Sequence, residues 1–184
     1  MQNFGKVAVL MGGFSSERNV SLDSGAAIVA ALKGRGVDAH AFDPKETPLA
    51  DLKTQGFQTA FNILHGTYGE DGAVQGTLEL LGIPYTGSGV EASAIGMDKY
   101  RCKLIWQALG LPVPEFAVLR EDTDFEAVEK RLGLPMFVKP ANEGSSVGVV
   151  KVKEKGRLKD VYAELKHMKG EIIAERFIGG CEYS

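Results

Sequence analysis

Short apolar runs alternate with two longer helical stretches through the first half of the chain. The run Lys6 to Met11 (KVAVLM) has almost no polar position, which is typical of a strand buried on both faces of a parallel sheet. Strands are also predicted at 37–42, 59–64 and 83–86, and helices at about 20–33 and 72–81. This order predicts an α/β fold with a doubly wound parallel sheet. Ligands bind at the carboxyl ends of such strands. The residues predicted to gather there are Gly12, Gly13, Glu17 and His65.

The second half, from about Ser93, has a different pattern that predicts a small α+β unit with an antiparallel sheet. Strands are predicted at 115–119 and 171–177, and helices at 93–109 (broken near Gly96), 124–132 and 155–167. Between them lies the hairpin LPMFVKPANEGSSVGVVKV at 134–152.

The hairpin contains the most informative candidate site. Lys139 ends an apolar strand, a poor position for a charge unless an anion meets it. The loop Asn142 to Ser146 follows, and its small residues allow backbone N–H groups to approach phosphate oxygens. The alternative is a tight hairpin whose lysine simply extends to water.

Two motif matches in this chain are rejected. Gly144-Ser145-Ser146-Val147-Gly148 fits the nucleophile elbow G-x-S-x-G, but that elbow must lead into a helix. Here a valine-rich strand is predicted to follow. Gly87 to Ala92 fits the loose dinucleotide pattern, without an obvious ribose-binding acid downstream, and we interpret it as a loop and helix start. There is no P-loop motif in the sequence.

Composition argues against two classes of partner. With 44% apolar and 24% charged residues among 184, and a net charge of −3, the chain has no basic footprint for nucleic acid. No apolar run approaches the roughly 20 residues needed to span a bilayer. Cys102 and Cys181 are expected to be reduced thiols. We therefore expect a cytoplasmic protein with no membrane or nucleic-acid partner.

The stretch after the last predicted strand reads as if another strand were about to begin, so we expect a truncated chain.

Taken in order, these motifs resemble those of the D-alanine–D-alanine ligases, a family of ATP-grasp enzymes. The matching fragments are Gly12-Gly13, Ser15-Ser16-Glu17-Arg18, Val20-Ser21, Ser24-Gly25, Leu64-His65-Gly66, Gly69-Glu70-Asp71-Gly72, Tyr85-Thr86-Gly87-Ser88, Asp98-Lys99, Val138-Lys139-Pro140, Glu143 to Gly148, Glu175 and Glu182-Tyr183. The resemblance implies a Rossmann-like domain at 1–92 and the N-terminal ATP-grasp subdomain at 93–184. It also implies that the C-terminal ATP-grasp subdomain is absent from this chain.

The resemblance assigns roles to individual residues. Glu17 would hold the ammonium of the first D-alanine, His65 would lie near the same substrate, and Ser145 would help to position Glu17. Glu17 and Ser145 would therefore be the catalytic residues. ATP would be bound by Lys99, Lys139, Glu143, Ser146, Val147, Glu175, Arg176, Ile178 and Glu182. Within that set the two lysines and the 146–147 backbone would meet phosphates, Glu175 and Ile178 the adenine, and Glu182 the ribose.

The residues alone leave simpler interpretations open. Glu17 could be an acid that complements a helix dipole, and Lys99 could be a solvated helix residue. Glu175 and Arg176 could form a surface ion pair, Ser145 could stabilise a turn, and His65 could be structural. The chain also departs from the family pattern at Asn19, where a glutamate is frequent, and at Cys181, where a glycine is usual.

The resemblance implies ATP-dependent formation of an acyl phosphate on one D-alanine, followed by attack of the second, for peptidoglycan precursor synthesis. It implies Mg²⁺ whose ligands lie in the absent half, so no metal ligand is assigned here, and the chain by itself is expected to be inactive. It also suggests a homodimer. Three alternatives remain: a D-alanine–D-lactate or related carboxylate–amine ligase, a non-catalytic nucleotide-binding module, and a flavodoxin-like or dinucleotide-binding protein.

Overall fold

Two separate sheets organise the chain, one parallel and one antiparallel. The computed structural model describes residues 4–144 and 146–181. It divides into one unit at Met1–Gly96 and a second at Met97–Ser184. The fold is therefore α/β, as predicted, with both kinds of strand pairing.

The first unit is built around the apolar run near the N-terminus. Its elements are β1 (Val7–Leu10), α1 (Arg18–Gly34), β2 (Ala39–Phe42), α2 (Asp51–Thr54), β3 (Thr59–Asn62), α3 (Ala73–Leu81) and α4 (Val90–Gly96). The sheet order is β2-β1-β3, all parallel, and an isolated parallel bridge joins Ala60 to Tyr85. All four residues of β1 are buried because this strand is central. That placement explains a run with no polar alternation.

The helices of this unit confirm the predicted alternation with two differences. α1 begins at Arg18 rather than near Val20, so Glu17 occupies its N-cap position. The single-turn helix α2 was not predicted, because four residues are too few to show a helical period. α4 starts directly after the Gly87-to-Gly89 loop, which confirms the interpretation of that segment as a loop and helix start.

The second unit has its own sheet and core. Its elements are α5 (Lys99–Ala108), β4 (Phe116–Leu119), α6 (Phe125–Leu132), β5 (Met136–Pro140), β6 (Val150–Val152), α7 (Leu158–Leu165) and β7 (Ile172–Arg176). The sheet order is β4-β7-β5-β6, with every pairing antiparallel. Fully buried Met136, Val138, Leu158 and Ala174 belong to the core on which α6 and α7 pack.

The predicted hairpin is confirmed by the pairing of β5 with β6, in which Phe137 lies opposite Lys151. Because the loop leads into strand β6 and not into a helix, Ser146 is not part of a nucleophile elbow. Pro140 lies within β5 and is fully buried.

A buried carboxylate from α6 caps the N-terminus of α7. The N-cap residue of α7 makes no side-chain cap of its own. Instead Glu129, 7% exposed, accepts hydrogen bonds from the backbone N–H of Gly156 at 2.8 Å and of Leu158 at 3.1 Å. Free N–H groups at a helix start need such acceptors. Glu129 thus joins two helices that are separate in sequence.

We expect Glu129→Ala to lower the free energy of unfolding by about 2 kcal/mol, because one buried and one part-buried N–H group lose their acceptor. Glu126→Ala is the matched control on the same helix, since the Glu126 side chain is 84% exposed. Its cost should be below about 0.5 kcal/mol. Chemical denaturation of both variants measures the difference, and equal costs would contradict the capping role.

Two further sequence expectations concern membranes and thiols. None of the helices in residues 4–144 and 146–181 is long and apolar enough to cross a membrane. Within the described residues, no disulfide joins Cys102 to Cys181.

Candidate functional site

In the second unit, the start of α5 is fixed by a buried aspartate. Asp98 is 3% exposed, and its Oδ1 accepts a hydrogen bond from the backbone N–H of Arg101 at 2.9 Å. Aspartate is a preferred N-cap because it satisfies such a donor. Residues four apart on a helix share a face, so this start places Lys99 and Lys103 one above the other.

Two lysines, one from α5 and one from β5, pair with one carboxylate on β7, and a third lysine lies beside them. The Nζ of Lys139 lies 3.1 Å from Oε1 of Glu175, and the Nζ of Lys103 forms an ion pair with Oε2. The side chain of Glu175 is 12% exposed and that of Lys103 is 7% exposed. Lys99 lies close enough to Lys139 for the two charges to repel. We call Lys99, Lys103, Lys139 and Glu175 the lysine cluster.

The Glu175 carboxyl is held in its ionised form. Burial works to raise its pKa, but the hydrogen bond from Lys103 and the charges of Lys139 and Lys103 outweigh burial. The net pKa lies below its ordinary value. Ion pairs of this kind favour the charged carboxylate.

Lys99 carries a charge that the folded protein disfavours. Its Nζ donates a hydrogen bond to the backbone carbonyl of Glu143. Burial, followed by the nearby charge of Lys139, lowers the pKa of the Lys99 ammonium. A bound polyanion would relieve both the repulsion and the loss of hydration. The arrangement therefore suits an anionic group such as a phosphate.

The loop beside the lysine cluster has a fixed base and an exposed tip. Ser146 has φ +62°, uncommon for a residue other than glycine. The N–H of Val147 donates to the carbonyl of Gly144 at 2.9 Å. At Gly148 (φ +69°), a Cβ would lie 3.0 Å from Cδ of Pro140, so the backbone there requires glycine. Val147 is 40% exposed. The predicted residue Ser145 lies outside the described residues.

The other predicted nucleotide residues are placed differently. Successive strand residues point to opposite faces. Accordingly, Arg176 contacts Glu115 at 2.8 Å and the carbonyl of Leu132 at 3.1 Å, away from Glu175. The interpretation of Glu175 and Arg176 as a surface ion pair is wrong, and the Arg176 guanidinium is not brought to the lysine cluster. Ile178 follows β7 and is 63% exposed. Glu182 lies outside the described residues.

In the first unit, two residues that form an ion pair also make hydrogen bonds to a glycine turn after β1. Gly12 and Gly13 have φ of +81° and +75°. The N–H of Gly13 donates to Oδ1 of Asp43 at 3.0 Å, and Nη1 of Arg18 donates to the Gly13 carbonyl at 2.9 Å. Arg18 and Asp43 are themselves paired at 2.7 Å. This frame fixes the start of α1 and hence the position of Glu17.

Glu17 and His65 both lie beside Gly66. A Cβ placed on Gly66 would lie 3.1 Å from Oε2 of Glu17, so the Glu17 carboxylate lies directly against that glycine. The N–H of Gly66 donates to Oε2 of Glu70 at 2.7 Å, and Nδ1 of His65 is 4.0 Å from Oε1 of Glu70. Within the described part of the chain, the buried Nε2 of His65 has no hydrogen-bond partner. The adjoining concave surface includes Gly13, Phe14, His65 and Tyr68. A carboxylate and an imidazole therefore lie beside the same glycine.

Sequence reasoning missed Lys103, Asp43 and the capping role of Asp98. Lys103 had a visible signal, because it lies one helical turn after Lys99. Asp98 had one too, as an N-cap residue before a helical run. Asp43 had none, because its contact with Gly13 joins residues 30 positions apart.

The described residues contain no group of three or more histidine, cysteine, aspartate or glutamate side chains that could hold a metal ion. We assign no metal ligand among them.

Comparison with family models gives two matches along the chain. The model described as D-ala D-ala ligase N-terminus matches residues 38–88, and the model described as D-ala D-ala ligase C-terminus matches residues 105–184. Together they cover most of the sequence.

Curated relatives agree with these matches. The D-alanine–D-alanine ligase of Neisseria meningitidis (strain FAM18) is 86% identical over the whole chain, which covers 60% of that protein. D-alanine–D-alanine ligase B of Chromobacterium violaceum is 60% identical over the whole chain, which covers 61% of it. The chain thus spans about 60% of the length of the curated relatives it matches.

Solved structures match the fold. The D-alanine–D-alanine ligase of Bacillus anthracis superposes with a TM-score of 0.84 at 39% identity, over 95% of this chain and 58% of that one. The same enzyme complexed with ATP gives a TM-score of 0.82 at 36% identity, over 95% and 59%. Both family models, the sequence relatives and the structural neighbours agree: the chain belongs to the D-alanine–D-alanine ligase family.

Proposed function

We propose that this chain is part of an ATP-dependent ligase that joins two D-alanines into D-alanyl-D-alanine for peptidoglycan precursor synthesis. The activity would belong to the full-length ligase, by which we mean the protein at the length of its curated relatives. The observation that carries the proposal is that Lys99, which bonds to the 142–148 loop after β5, lies close to Lys139, whose carboxylate partner has a second lysine. That surplus of positive charge suits a triphosphate.

The nucleotide site would lie at 93–184, the N-terminal ATP-grasp subdomain. Lys99 and Lys139 would bind phosphate oxygens, and backbone groups of Ser146 and Val147 would complete the cradle. Glu175 would accept a hydrogen bond from the adenine amine. Further members of the site would be Glu143, the Arg176 and Ile178 backbone and, on the ribose, Glu182.

The first D-alanine would bind at 1–92, which we propose to be a Rossmann-like domain. The Glu17 carboxylate would pair with the substrate ammonium, since charge-assisted hydrogen bonds are strong and directional. The unpartnered Nε2 of His65 would face the same substrate. Ser145 would help to position Glu17. Positioning and electrostatic stabilisation would provide most of the rate, as in phosphoryl transfer generally.

Mg²⁺ would neutralise phosphate charge, held by ligands outside the described residues. We also propose a cytoplasmic location and a homodimer, both from the family resemblance.

Assay of the full-length ligase with ATP and D-alanine should give ADP and D-alanyl-D-alanine in equal amounts. D-lactate as second substrate should give little depsipeptide. Preferred use of D-lactate would assign the protein to the D-alanine–D-lactate ligases, and the absence of ADP release with either substrate would refute the proposal.

We expect Glu17→Gln to raise KM for the first D-alanine by about 10- to 100-fold, because a charged hydrogen bond to the ammonium is lost. The KM for ATP should stay within about twofold of the parent. Asp23→Asn, an exposed acid on the same helix, is the control and should change neither constant. An unchanged KM for D-alanine in Glu17→Gln would remove Glu17 from the site.

A further inference from the structure

Lys103 is a buried charge for which the proposed reaction has no role. Its side chain is 7% exposed, and its Nζ lies against Oε2 of Glu175 and 5.3 Å from the centre of the Phe116 ring. A buried ammonium is costly, and a methionine of similar size would avoid that cost. Its presence is informative because Glu175 already has Lys139 as a partner on its other oxygen.

Lys139 and Lys103 differ in how exposed their side chains are. Lys139 is the more exposed of the pair, at 20%, and is the one proposed to bind phosphate. A phosphate oxygen bound to its Nζ would compete with Oε1 of Glu175 for the charge of that ammonium. Lys103 is enclosed by the Glu175 carboxylate and the Phe116 ring, so we expect it to keep its contact with Glu175 when a ligand reaches Lys139.

We propose that Lys103 is a positioning residue for base selection: it keeps the Glu175 carboxylate ionised and aimed at the base when Lys139 turns to the triphosphate. This inference rests on the proposed function, in which Glu175 accepts a hydrogen bond from the adenine amine. Lys103 itself touches neither nucleotide nor D-alanine.

The consequence is a preference between nucleotides that differ at one position of the base. Adenine carries an amino group that donates to a carboxylate, whereas hypoxanthine carries an oxo group there that a carboxylate repels. A buried carboxylate that loses its cation is readily protonated. It then accepts less well from adenine and donates to hypoxanthine. Loss of Lys103 should therefore weaken the choice of ATP over inosine triphosphate (ITP).

The test measures kcat/KM of the full-length ligase for ATP and for ITP with D-alanine saturating. In Lys103→Met, the ATP-to-ITP ratio should fall by about tenfold, as expected for a disturbed hydrogen bond to a charged group. The exposed Lys130→Met is the matched control and should keep the parent ratio. A merely structural role of Lys103 would lower both values of kcat/KM equally.

Glu175→Gln and the double variant that also carries Lys103→Met distinguish failure of this inference from failure of the adenine assignment. If Lys103 acts through Glu175, adding Lys103→Met to Glu175→Gln changes the ratio no further. A ratio that falls in Glu175→Gln but not in Lys103→Met overturns this inference and leaves the proposed function intact. A ratio unchanged in Glu175→Gln overturns the adenine assignment of Glu175 and this inference with it.

Should Lys103→Met not fold, Lys103→Gln decides the question. Its side chain is polar but carries no charge. We expect its ratio to fall by about three- to tenfold, and more at pH 6 than at pH 8 because Glu175 then protonates more readily. A parent-like ratio at both pH values in Lys103→Gln overturns the inference.

Discussion

Replacing Lys139 by methionine in the full-length ligase is expected to lower kcat by about 10²- to 10³-fold, the usual cost of removing one preorganised charge-stabilising group. Lys99→Met should cost a similar factor. The reason is that both ammonium groups would face the transferring phosphoryl group, where negative charge is spread over several oxygens. Steady-state kinetics with ATP and D-alanine, supported by unfolding curves that show intact structure, measure the effect.

The two lysine substitutions should not be additive. Lys99 and Lys139 already repel one another, so removing one relieves the other. The double variant should therefore lose less than the product of the single losses. Lys151→Met is the control, since this lysine is exposed on β6 and lies 3.7 Å from the centre of the Phe177 ring. Full activity in the double variant would contradict the nucleotide assignment. An ATP-analogue crystal structure in which the 142–148 loop points away from the phosphates would contradict it as well.

Glu175→Gln is expected to lower the free energy of unfolding by about 3 kcal/mol, because breaking a buried ion pair leaves a charge without its partner. The ammonium left behind is chiefly that of Lys103, whose side chain is only 7% exposed. Chemical denaturation measures the cost. Glu171→Gln is the control near the start of the same strand, with a 38% exposed side chain and an ion-pair distance of 3.5 Å, and should cost below about 1 kcal/mol.

The pH dependence of this effect has a defined sign. The pKa of Glu175 is lower in the folded protein than its ordinary value. Its ionised form therefore stabilises the fold at neutral pH, and this contribution is lost as pH falls from the ordinary pKa through the lowered one. The stability gap between parent and Glu175→Gln should be largest at neutral pH and narrow in acid. A gap that is constant with pH would show that packing, and not charge, makes Glu175 important.

The lysine cluster shows which site residues can be predicted from the sequence. Lys99, Lys139 and Glu175 were assigned from the family resemblance, and Lys139 also from its position at the end of an apolar strand. The structure places these three side chains in one cluster. Lys103 lies one helical turn after Lys99, but its pairing with Glu175, 72 positions further along the chain, is visible only in the folded structure.

Local residue patterns predict most of the strands and helices, and the ordered motifs indicate the family. The apolar run of β1, the helical period of α1 and the β5–β6 hairpin are all properties of neighbouring residues, so local spacing predicts them. Only the folded chain shows the strand orders β2-β1-β3 and β4-β7-β5-β6, the capping of α7 by Glu129, and the contact between Asp43 and the Gly12–Gly13 turn. Each of these joins residues distant in sequence, and such contacts depend on how whole elements pack and on which buried polar groups need partners.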